Sequence, residues 1–376
     1  MRVLLNTKLL MCSNRAGIGV YVANLYDELK KAGIDVVPTL DNGSISLVRT
    51  VGNASARLRS VFGKFYPPFV KKAGDALYRH FHGKEASAGR YDLYHETSLD
   101  PMPEVGGRIV CNVYDLSFVR FPELFVEGFA EKATPNLREN VSRSERIIVN
   151  TRFIRDEAVE VLKVPAEKID VIPLAAAGRY REDPGAPRPS VEAGRAGGRD
   201  YLLYAGTVEP RKNLMTLIRA YREVRSKYDI ALVIAGGFGW LYDDIISYPE
   251  QLGLGKDVIF TNYVGDETLR RLYQSATVFI YPSLYEGFGI PPLEAMACGA
   301  PVVVSDIPPH REVSGDAALF FPPADHEALA GAVERLLSSG SLREEMKQRG
   351  LKKASEYSWR RVAGETMQTY EKALLN

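Results

Sequence analysis

A basic pair in the second half of the sequence could bind an anion. Arg211 and Lys212 follow the apolar segment 201–206 and directly precede a helical pattern that begins at Leu214. Cations are unfavourable at a helix N-terminus, so their presence there indicates a bound anion. A diphosphate fits, because a guanidinium binds it through two N–H groups and an ammonium adds a point charge. The alternative is a pair of solvated first-turn cations.

Two glutamates further along the chain could bind hydroxyl groups. Glu286 precedes Gly287, Phe288 and Gly289, and Glu294 lies in the first turn of a predicted helix. The two glycines leave backbone N–H groups open to a ligand. Carboxylates accept hydrogen bonds from sugar hydroxyls without a metal. In the alternative interpretation, Glu294 complements the helix dipole and Glu286 is a loop surface charge.

The elements that must position these residues alternate between short apolar runs and amphipathic helical patterns, which predicts βαβ units and mainly parallel sheets. The strand candidates are Val3–Leu5, Asp35–Thr39, Leu93–His95, Ile109–Tyr114, Ile147–Asn150, Ile169–Pro173, Tyr201–Ala205, Ala231–Ala235, Val258–Phe260, Val278–Tyr281 and Pro301–Ser305. The helix predictions are Val20–Lys31, Leu214–Lys227, Asp266–Ala276 with Asp266 as N-cap, Pro291–Cys298, and successive helices after Ala328.

The chain divides at a stretch rich in Gly, Pro and charge. Its 376 residues suit two domains. We predict an α/β fold with two Rossmann-like, doubly wound domains that face a cleft. The first spans residues 1–180, a linker spans 181–199, and the second domain spans 200–355, with a last helix at 356–376. Ligands bind at strand carboxyl ends and domain interfaces in this architecture.

Composition excludes several function classes. Lys+Arg number 48 against 47 Asp+Glu, so the charge balance predicts no nucleic-acid partner. The three cysteines are far apart in sequence, which argues against a disulfide framework or a zinc site and favours a reducing compartment. We find neither a long apolar run nor a signal-peptide pattern, so a cytoplasmic protein is expected.

One segment, residues 43–90, differs from the rest. Its central part, 49–84, carries eight basic residues and a single acid, Asp75, with aromatic residues interleaved. This pattern suits an anionic membrane surface or an acidic acceptor, and hence a peripheral location on the cytoplasmic membrane face. The alternative is a solvated helical insertion whose aromatic side chains pack on the domain.

The motifs together resemble a known family. Glu286 and Glu294 match the Glu-x7-Glu signature of retaining glycosyltransferases with the GT-B fold. The turn from Gly206 to Asn213 resembles the phosphate-binding turn of the same family. The sequence is similar to the family-4 glycosyltransferases over nearly its whole length, and in that family the last helix crosses back to the first domain.

The resemblance implies roles for the matching residues. Glu286 would contact hydroxyls of the donor sugar and Glu294 the ribose of the nucleotide, while Arg211 and Lys212 would neutralise the diphosphate. The remaining donor-binding positions are Gly17, Gly19, Gly206, Gly236, Gly237, Val264 beside the base, and the backbone of Gly287, Phe288 and Gly289. The Gly17–Gly19 loop lacks the third glycine of a dinucleotide fingerprint, which argues against a nicotinamide cofactor.

The first domain offers further cleft candidates. Asp115 follows a strand, and its alternative role is a cap or turn. Relatives often carry His where this chain has Tyr114, so no histidine is assigned there. His95 ends a strand candidate and could face the cleft, although a lone histidine is more often structural. His310 could be a loop residue of the same kind.

These expectations combine into a predicted reaction. A sugar moves from a nucleotide diphosphate, with GDP-mannose preferred over UDP- or dTDP-sugars, to a glycan or lipid-linked acceptor with retention of configuration. Asp115, Glu286, Arg211 and Lys212 form the predicted catalytic set, and the departing phosphate accepts the acceptor's proton. The sequence has no Asp-x-Asp motif, so we expect neither a metal nor a cofactor. The alternatives are a nucleotide-sugar epimerase of the same fold and a non-catalytic two-domain sugar-binding protein.

Overall fold

The computed structural model describes residues 1–11, 17–39, 91–183, 185 and 199–375. The predicted basic segment 43–90, most of the predicted linker and Cys12 lie outside the described residues. The described residues form two six-stranded sheets, each with all of its strand pairs parallel. The predicted fold class, an α/β protein with two Rossmann-like units, is confirmed.

The first domain is built on the sheet order β2-β1-β3-β4-β5-β6. Its strands are β1 (Arg2–Leu5), β2 (Asp35–Pro38), β3 (Leu93–Glu96), β4 (Arg108–Val113), β5 (Arg146–Val149) and β6 (Ile169–Val171). Its helices are α1 (Ile18–Lys31), α2 (Ser117–Arg120), α3 (Phe129–Ser142) and α4 (Arg152–Leu162). The strand order reverses between β1 and β3, the position where open α/β sheets bind ligands.

The second domain has the order β12-β11-β10-β7-β8-β9. Its strands are β7 (Tyr201–Ala205), β8 (Ala231–Ala235), β9 (Val258–Asn262), β10 (Val278–Tyr281), β11 (Val302–Ser305) and β12 (Ala318–Phe321). Its helices are α5 (Leu214–Arg225), α6 (Asp243–Gln251), α7 (Asp266–Ser275), α8 (Ile290–Ala297), α9 (Pro308–Ser314), α10 (His326–Ser338) and α11 (Gly340–Ser355). The order reverses between β7 and β10, so the loops after these two strands flank the expected ligand position.

Local sequence explains these helices. In α5, Leu214, Leu217, Ile218, Tyr221 and Val224 are all buried, and their spacing puts them on one face against the sheet. The prediction that an aspartate side chain caps α7 is wrong. Position 266 is the first helical residue, the preceding glycine occupies the N-cap, and no side chain bonds there.

The last helix, α12 (Trp359–Leu375), leaves the second domain and packs on α1, β4 and β5 of the first. Tyr370 is fully buried, and its hydroxyl lies 2.8 Å from Nδ1 of His95. Lys372 Nζ contacts Asp170 Oδ1 at 2.6 Å. The chain therefore crosses between the domains twice. Within the described residues, no helix combines the length and apolar character needed to span a bilayer.

Candidate active site

A cavity of about 570 Å³ lies between the two domains, where loops leave the carboxyl ends of the strands. It is lined by most of the residues singled out from sequence, namely Gly17, Tyr114, Asp115, Gly206, Arg211, Lys212, Gly236, Gly237, Val264, Glu286, Gly287, Phe288, Gly289 and Glu294. The structure thus brings together side chains from both halves of the chain. Gly19 and His95 are not among the lining residues.

The basic pair is neither free nor solvated. Lys212 donates from Nζ to Glu286 Oε1 at 2.5 Å and to the hydroxyl of Tyr281 at 2.8 Å. Arg211 places Nη1 3.2 Å from Glu286 Oε2 and Nη2 2.9 Å from Glu209 Oε1. The alternative of solvated first-turn cations is therefore wrong. The pair sits in a short 3-10 turn ahead of α5, with two carboxylates against it.

Electrostatics keep the Glu286 carboxylate ionised. Burial by itself would raise the pKa of Glu286, but Lys212 and Arg211 outweigh it and hold that pKa well below its ordinary value. Glu286 is 7% exposed, so it is neither a loop surface charge nor protonated near neutral pH. The Nε of Arg211 is buried and has no hydrogen-bond partner among the described residues. The cluster therefore holds fixed charges in the wall of the cavity.

Two glycines permit close approach of backbone to backbone at the cavity. A Cβ on Gly236, where φ is 154°, would lie 1.9 Å from the carbonyl oxygen of Gly206. A Cβ on Gly287 would lie 1.9 Å from the carbonyl oxygen of Tyr114, on the opposite domain. Any larger residue at either position would force the strands or the domains apart. The loop after β10 is thus in direct contact with the first domain.

Glu294 lies in the second turn of α8, not in the first turn as predicted. A role as first-turn complement to the helix dipole is thereby excluded. Its side chain is 6% exposed, and Oε2 accepts a hydrogen bond from the hydroxyl of Tyr273 at 3.1 Å. Burial raises the pKa of Glu294 to about 7, against the hydrogen bond from Tyr273, which lowers it.

The raised pKa of Glu294 predicts a pH-dependent stability. The folded protein keeps the proton up to about pH 7, whereas the unfolded chain releases it near 4.5. The contribution of Glu294 to the free energy of unfolding is therefore complete below pH 4.5 and is lost as the pH rises through 7. It amounts to about 3 kcal/mol. Glutamine at position 294 does not titrate. In urea unfolding, the free energy of unfolding of Glu294→Gln minus that of wild type should therefore be larger at pH 8.5 than at pH 4.5. An identical difference between the two proteins at both pH values would contradict this.

Asp115 lies in the cavity wall and also has a local role. Its Oδ1 accepts hydrogen bonds from the backbone N–H of Ser117 at 2.9 Å and from the Ser117 hydroxyl at 2.5 Å. The predicted cleft position and the predicted turn role thus coexist, and no hydrogen bond to Oδ2 is found among the described residues. Tyr114 lines the cavity while its hydroxyl donates to the carbonyl oxygen of Thr97 at 3.2 Å.

His95 does not face the cleft. Its side chain is fully buried between β4 and α12, with Nε2 2.7 Å from Asn112 Oδ1 and Nδ1 2.8 Å from the Tyr370 hydroxyl. Burial lowers the pKa of His95 to about 4. Gly19 is buried in the first turn of α1. His95 is therefore a buried structural residue, while donor binding by Gly19 stays a prediction. Sequence could not tell which face of the strand or helix each residue would occupy.

His310 lies behind the cavity wall, in helix α9 and not in a loop as predicted. Its Nδ1 donates to the carbonyl oxygen of Ser305 at 2.9 Å, and Nε2 is buried without a hydrogen-bond partner among the described residues. Burial lowers the pKa of His310 to about 4, so the ring is neutral. A Cβ on Gly289 would lie 3.3 Å from its ring. His310 therefore supports the glycine loop from the side away from the ligand space.

Several aromatic residues at the cavity, other than Tyr114 and Phe288, were not predicted from sequence. Phe238, Trp240 and Tyr263 line it. The indole N–H of Trp240 donates to the carbonyl oxygen of Leu124 at 2.8 Å across the cleft. Its ring stacks on Phe125 with centroids 5.3 Å apart. The sequence signal that could have identified Phe238 and Trp240 is their position in the glycine-rich segment after β8.

Two facing Rossmann-like domains with a cavity between them define the GT-B architecture, and buried charged side chains lie in the wall of this cavity. Comparison with known families assigns the chain. Residues 15–175 match the model described as Glycosyltransferase Family 4, and residues 190–353 match Glycosyl transferases group 1. The chain belongs to the family-4 glycosyltransferases of GT-B fold, and it is a glycosyltransferase.

Individual relatives agree with this assignment. The chain is 32% identical over 364 residues to the O-antigen chain mannosyltransferase B of Escherichia coli. The aligned region covers 93% of this chain and 92% of the relative. Sucrose-phosphate synthase from Thermosynechococcus elongatus superimposes with a TM-score of 0.74 at 20% identity, covering 99% and 98% of the two chains. Anabaena HepE in complex with UDP and glucose superimposes with a TM-score of 0.74 at 16% identity, covering 99% of both chains.

Proposed function

We propose that the protein transfers a mannosyl group from GDP-mannose to a hydroxyl of a glycan acceptor, with retention of anomeric configuration and without a metal. The observation that carries this proposal is the Arg211–Lys212–Glu286 cluster in the wall of the cavity. Mannose is supported by the relative from E. coli, a mannosyltransferase of the O-antigen chain, to which this chain is similar over most of its length. A bacterial cell-surface polysaccharide is the corresponding acceptor class.

The difficult step is the separation of charge at the anomeric carbon. As the bond from that carbon to the phosphate oxygen breaks, negative charge develops on the diphosphate beside Arg211 and Lys212. Cationic groups already fixed in a buried site stabilise such charge without reorganising. Their charge also removes the need for a cation such as Mg²⁺ at the diphosphate. Arg211 and Lys212 are therefore proposed as the electrostatic catalysts.

Glu286 would orient the sugar. Each carboxylate oxygen accepts more than one hydrogen bond, so contact with Lys212 leaves lone pairs for sugar hydroxyls. The acceptor oxygen then bonds to the anomeric carbon on the face that the phosphate leaves, and its proton passes to the departing phosphate. Glu294 is proposed to accept hydrogen bonds from the ribose. Asp115 stays a candidate for contact with the sugar or the acceptor.

One assay tests this reaction. The purified protein is incubated with a labelled mannooligosaccharide and, in parallel, GDP-mannose, UDP-glucose or dTDP-glucose, with and without EDTA. We expect elongation with GDP-mannose, undiminished by EDTA, and a product sensitive to α-mannosidase. A β-linked product, or activity lost in EDTA and restored by manganese, would contradict the proposed mechanism. Epimerised sugar formed from the donor alone would favour the epimerase alternative.

The membrane-facing role of the basic segment 43–90 stays a prediction from sequence, since that segment lies outside the described residues. If it holds, the acceptor glycan is lipid-linked. The clustered basic residues would then bring the active site to an anionic membrane surface.

A further inference from the structure

The short loop that carries Glu286 is held on both sides by a helix of the opposite domain. Tyr285 and Gly287 flank Glu286 in sequence. The Tyr285 hydroxyl donates a hydrogen bond to Glu157 on α4, and the Gly287 carbonyl oxygen accepts one from the side chain of Thr151, the N-cap residue of α4. Both partners belong to the first domain, while Glu286 and Lys212 belong to the second. The position of the Glu286 carboxylate therefore depends on contacts outside its own domain.

The contact on the Gly287 side fixes a peptide plane. The hydroxyl of Thr151 donates to the carbonyl oxygen of Gly287 at 2.9 Å and accepts from the N–H of Ile154 at 3.3 Å, which makes Thr151 the N-cap of α4. In a trans peptide the carbonyl and the next N–H point in opposite directions. The N–H of Phe288, in the cavity wall, accordingly points away from Thr151.

The contact on the Tyr285 side reaches the basic pair. The hydroxyl of Tyr285 donates to Glu157 on α4 and accepts from the backbone N–H of Leu116 at 3.2 Å. The carbonyl oxygen of the same residue accepts from Arg211 Nη1 at 2.8 Å. Glu157 is fixed in turn by Arg120, whose Nε lies 2.8 Å from Oε1. A continuous chain of hydrogen bonds thus runs from α4 to the cationic cluster.

A third contact joins the two domains at the same helix. Glu312, on α9 of the second domain, accepts hydrogen bonds from the backbone N–H of Arg152 at 2.9 Å and of Phe153 at 3.4 Å. A carboxylate at a helix N-terminus satisfies free N–H groups and complements the helix dipole. The N-terminus of α4 is therefore completed by the opposite domain only when the two domains are docked.

We propose that α4 is a positioning element for the transfer reaction, in which Thr151 and Glu157 hold the peptides on either side of Glu286 in their working geometry once the domains dock. This inference rests on the proposed function, because it takes Glu286 as the residue that orients the donor sugar. Docking of the domains then fixes the position of the Glu286 carboxylate and also closes the cavity. Neither Thr151 nor Glu157 touches the reacting atoms.

The test uses the full chain with conservative changes. Tyr285→Phe and Thr151→Val each remove one hydroxyl, and we expect kcat to fall by about tenfold, since small misplacements of reacting groups are costly. GDP affinity, measured by calorimetry, should stay within about twofold, because the second domain supplies most of that site. Thr151→Ser, which keeps the hydroxyl, should restore kcat. Amide hydrogen exchange of residues 284–290, measured without substrate, should be faster in Tyr285→Phe and Thr151→Val than in wild type.

Matched controls separate positioning from stability. Tyr221→Phe and Thr366→Val also remove a buried hydroxyl, in both cases one that donates to a backbone carbonyl, but these residues lie away from the cavity. They should leave kcat and exchange at residues 284–290 unchanged. Equal losses of kcat in tests and controls, or unchanged exchange in Tyr285→Phe and Thr151→Val, would overturn the inference. If wild type does not turn over GDP-mannose, the proposed function fails, while the exchange data still report on α4.

Discussion

Replacing Lys212 with methionine is expected to lower turnover by on the order of 10²–10³-fold, the loss usually seen when one group that stabilises developing negative charge is removed. Methionine keeps the length of the side chain and removes the charge. Lys212 is 7% exposed and lies between Glu286 and Tyr281, so water cannot readily replace it. Arg211→Met should cost a similar factor, and the double variant should cost at least as much as either. The measurement is kcat/KM under initial-rate conditions.

A control for this prediction is available in the same domain. Lys227→Met also removes a lysine that pairs with a glutamate, Glu334, at 2.7 Å, but on the exposed surface. Exposed pairs contribute only about 0–1 kcal/mol to stability, so this variant should behave as wild type. Because loss of one partner from a buried pair can destabilise a protein, circular dichroism must first show that Lys212→Met is folded. Wild-type turnover by the folded Arg211/Lys212 double variant would disprove their assigned role.

Glu286→Gln should change turnover and nucleotide affinity in opposite directions. The variant loses a charged acceptor for sugar hydroxyls, so we expect kcat to fall by on the order of 10²-fold. It also removes one negative charge beside Arg211 and Lys212, so the site becomes more positive and GDP should bind several-fold more tightly. Because the pKa of Glu286 lies well below its ordinary value, its ionisation should not limit wild-type activity between about pH 5 and 9. Calorimetry with GDP and a pH–rate profile check these points.

The comparison variant is Glu334→Gln, which makes the same chemical change in an exposed ion pair remote from the cavity. It should leave both kcat and GDP affinity at wild-type values. A loss of GDP affinity in Glu286→Gln that parallels its loss of turnover would instead indicate a collapsed site. The sugar-orienting role of Glu286 would then have to be given up.

Much of the fold could be predicted because its central strands are buried on both faces and therefore form continuous apolar runs. The bounds of β7, β8 and β10 agree with the sequence prediction to the residue. The strand β12 was missed. It is a short edge strand, Ala318–Phe321, that follows α9 after only a 3-10 turn, so its apolar run resembles the end of a helix.

The site was harder to predict where it depends on long-range contacts. The types and spacing of Glu286 and Glu294 pointed to the right region of the chain, but the pairing of Glu286 with Lys212 joins residues 74 positions apart. The bond between Tyr285 and Glu157 joins residues 128 positions apart. The periodicity of apolar residues predicts which side chains are buried. It does not predict which residues of other elements those side chains contact. For this reason the sequence left both a cleft position and a structural role open for His95.

The path of α12 has a consequence for engineering. Its buried face completes the core beneath β4 and β5, so the amino-terminal Rossmann unit is encoded by two separate stretches of the gene. A chimera that exchanges acceptor specificity by swapping only residues 1–180 would pair a foreign core with a mismatched helix. Successful recombination should transplant both stretches together, and a truncation before Trp359 would expose apolar surface and invite aggregation.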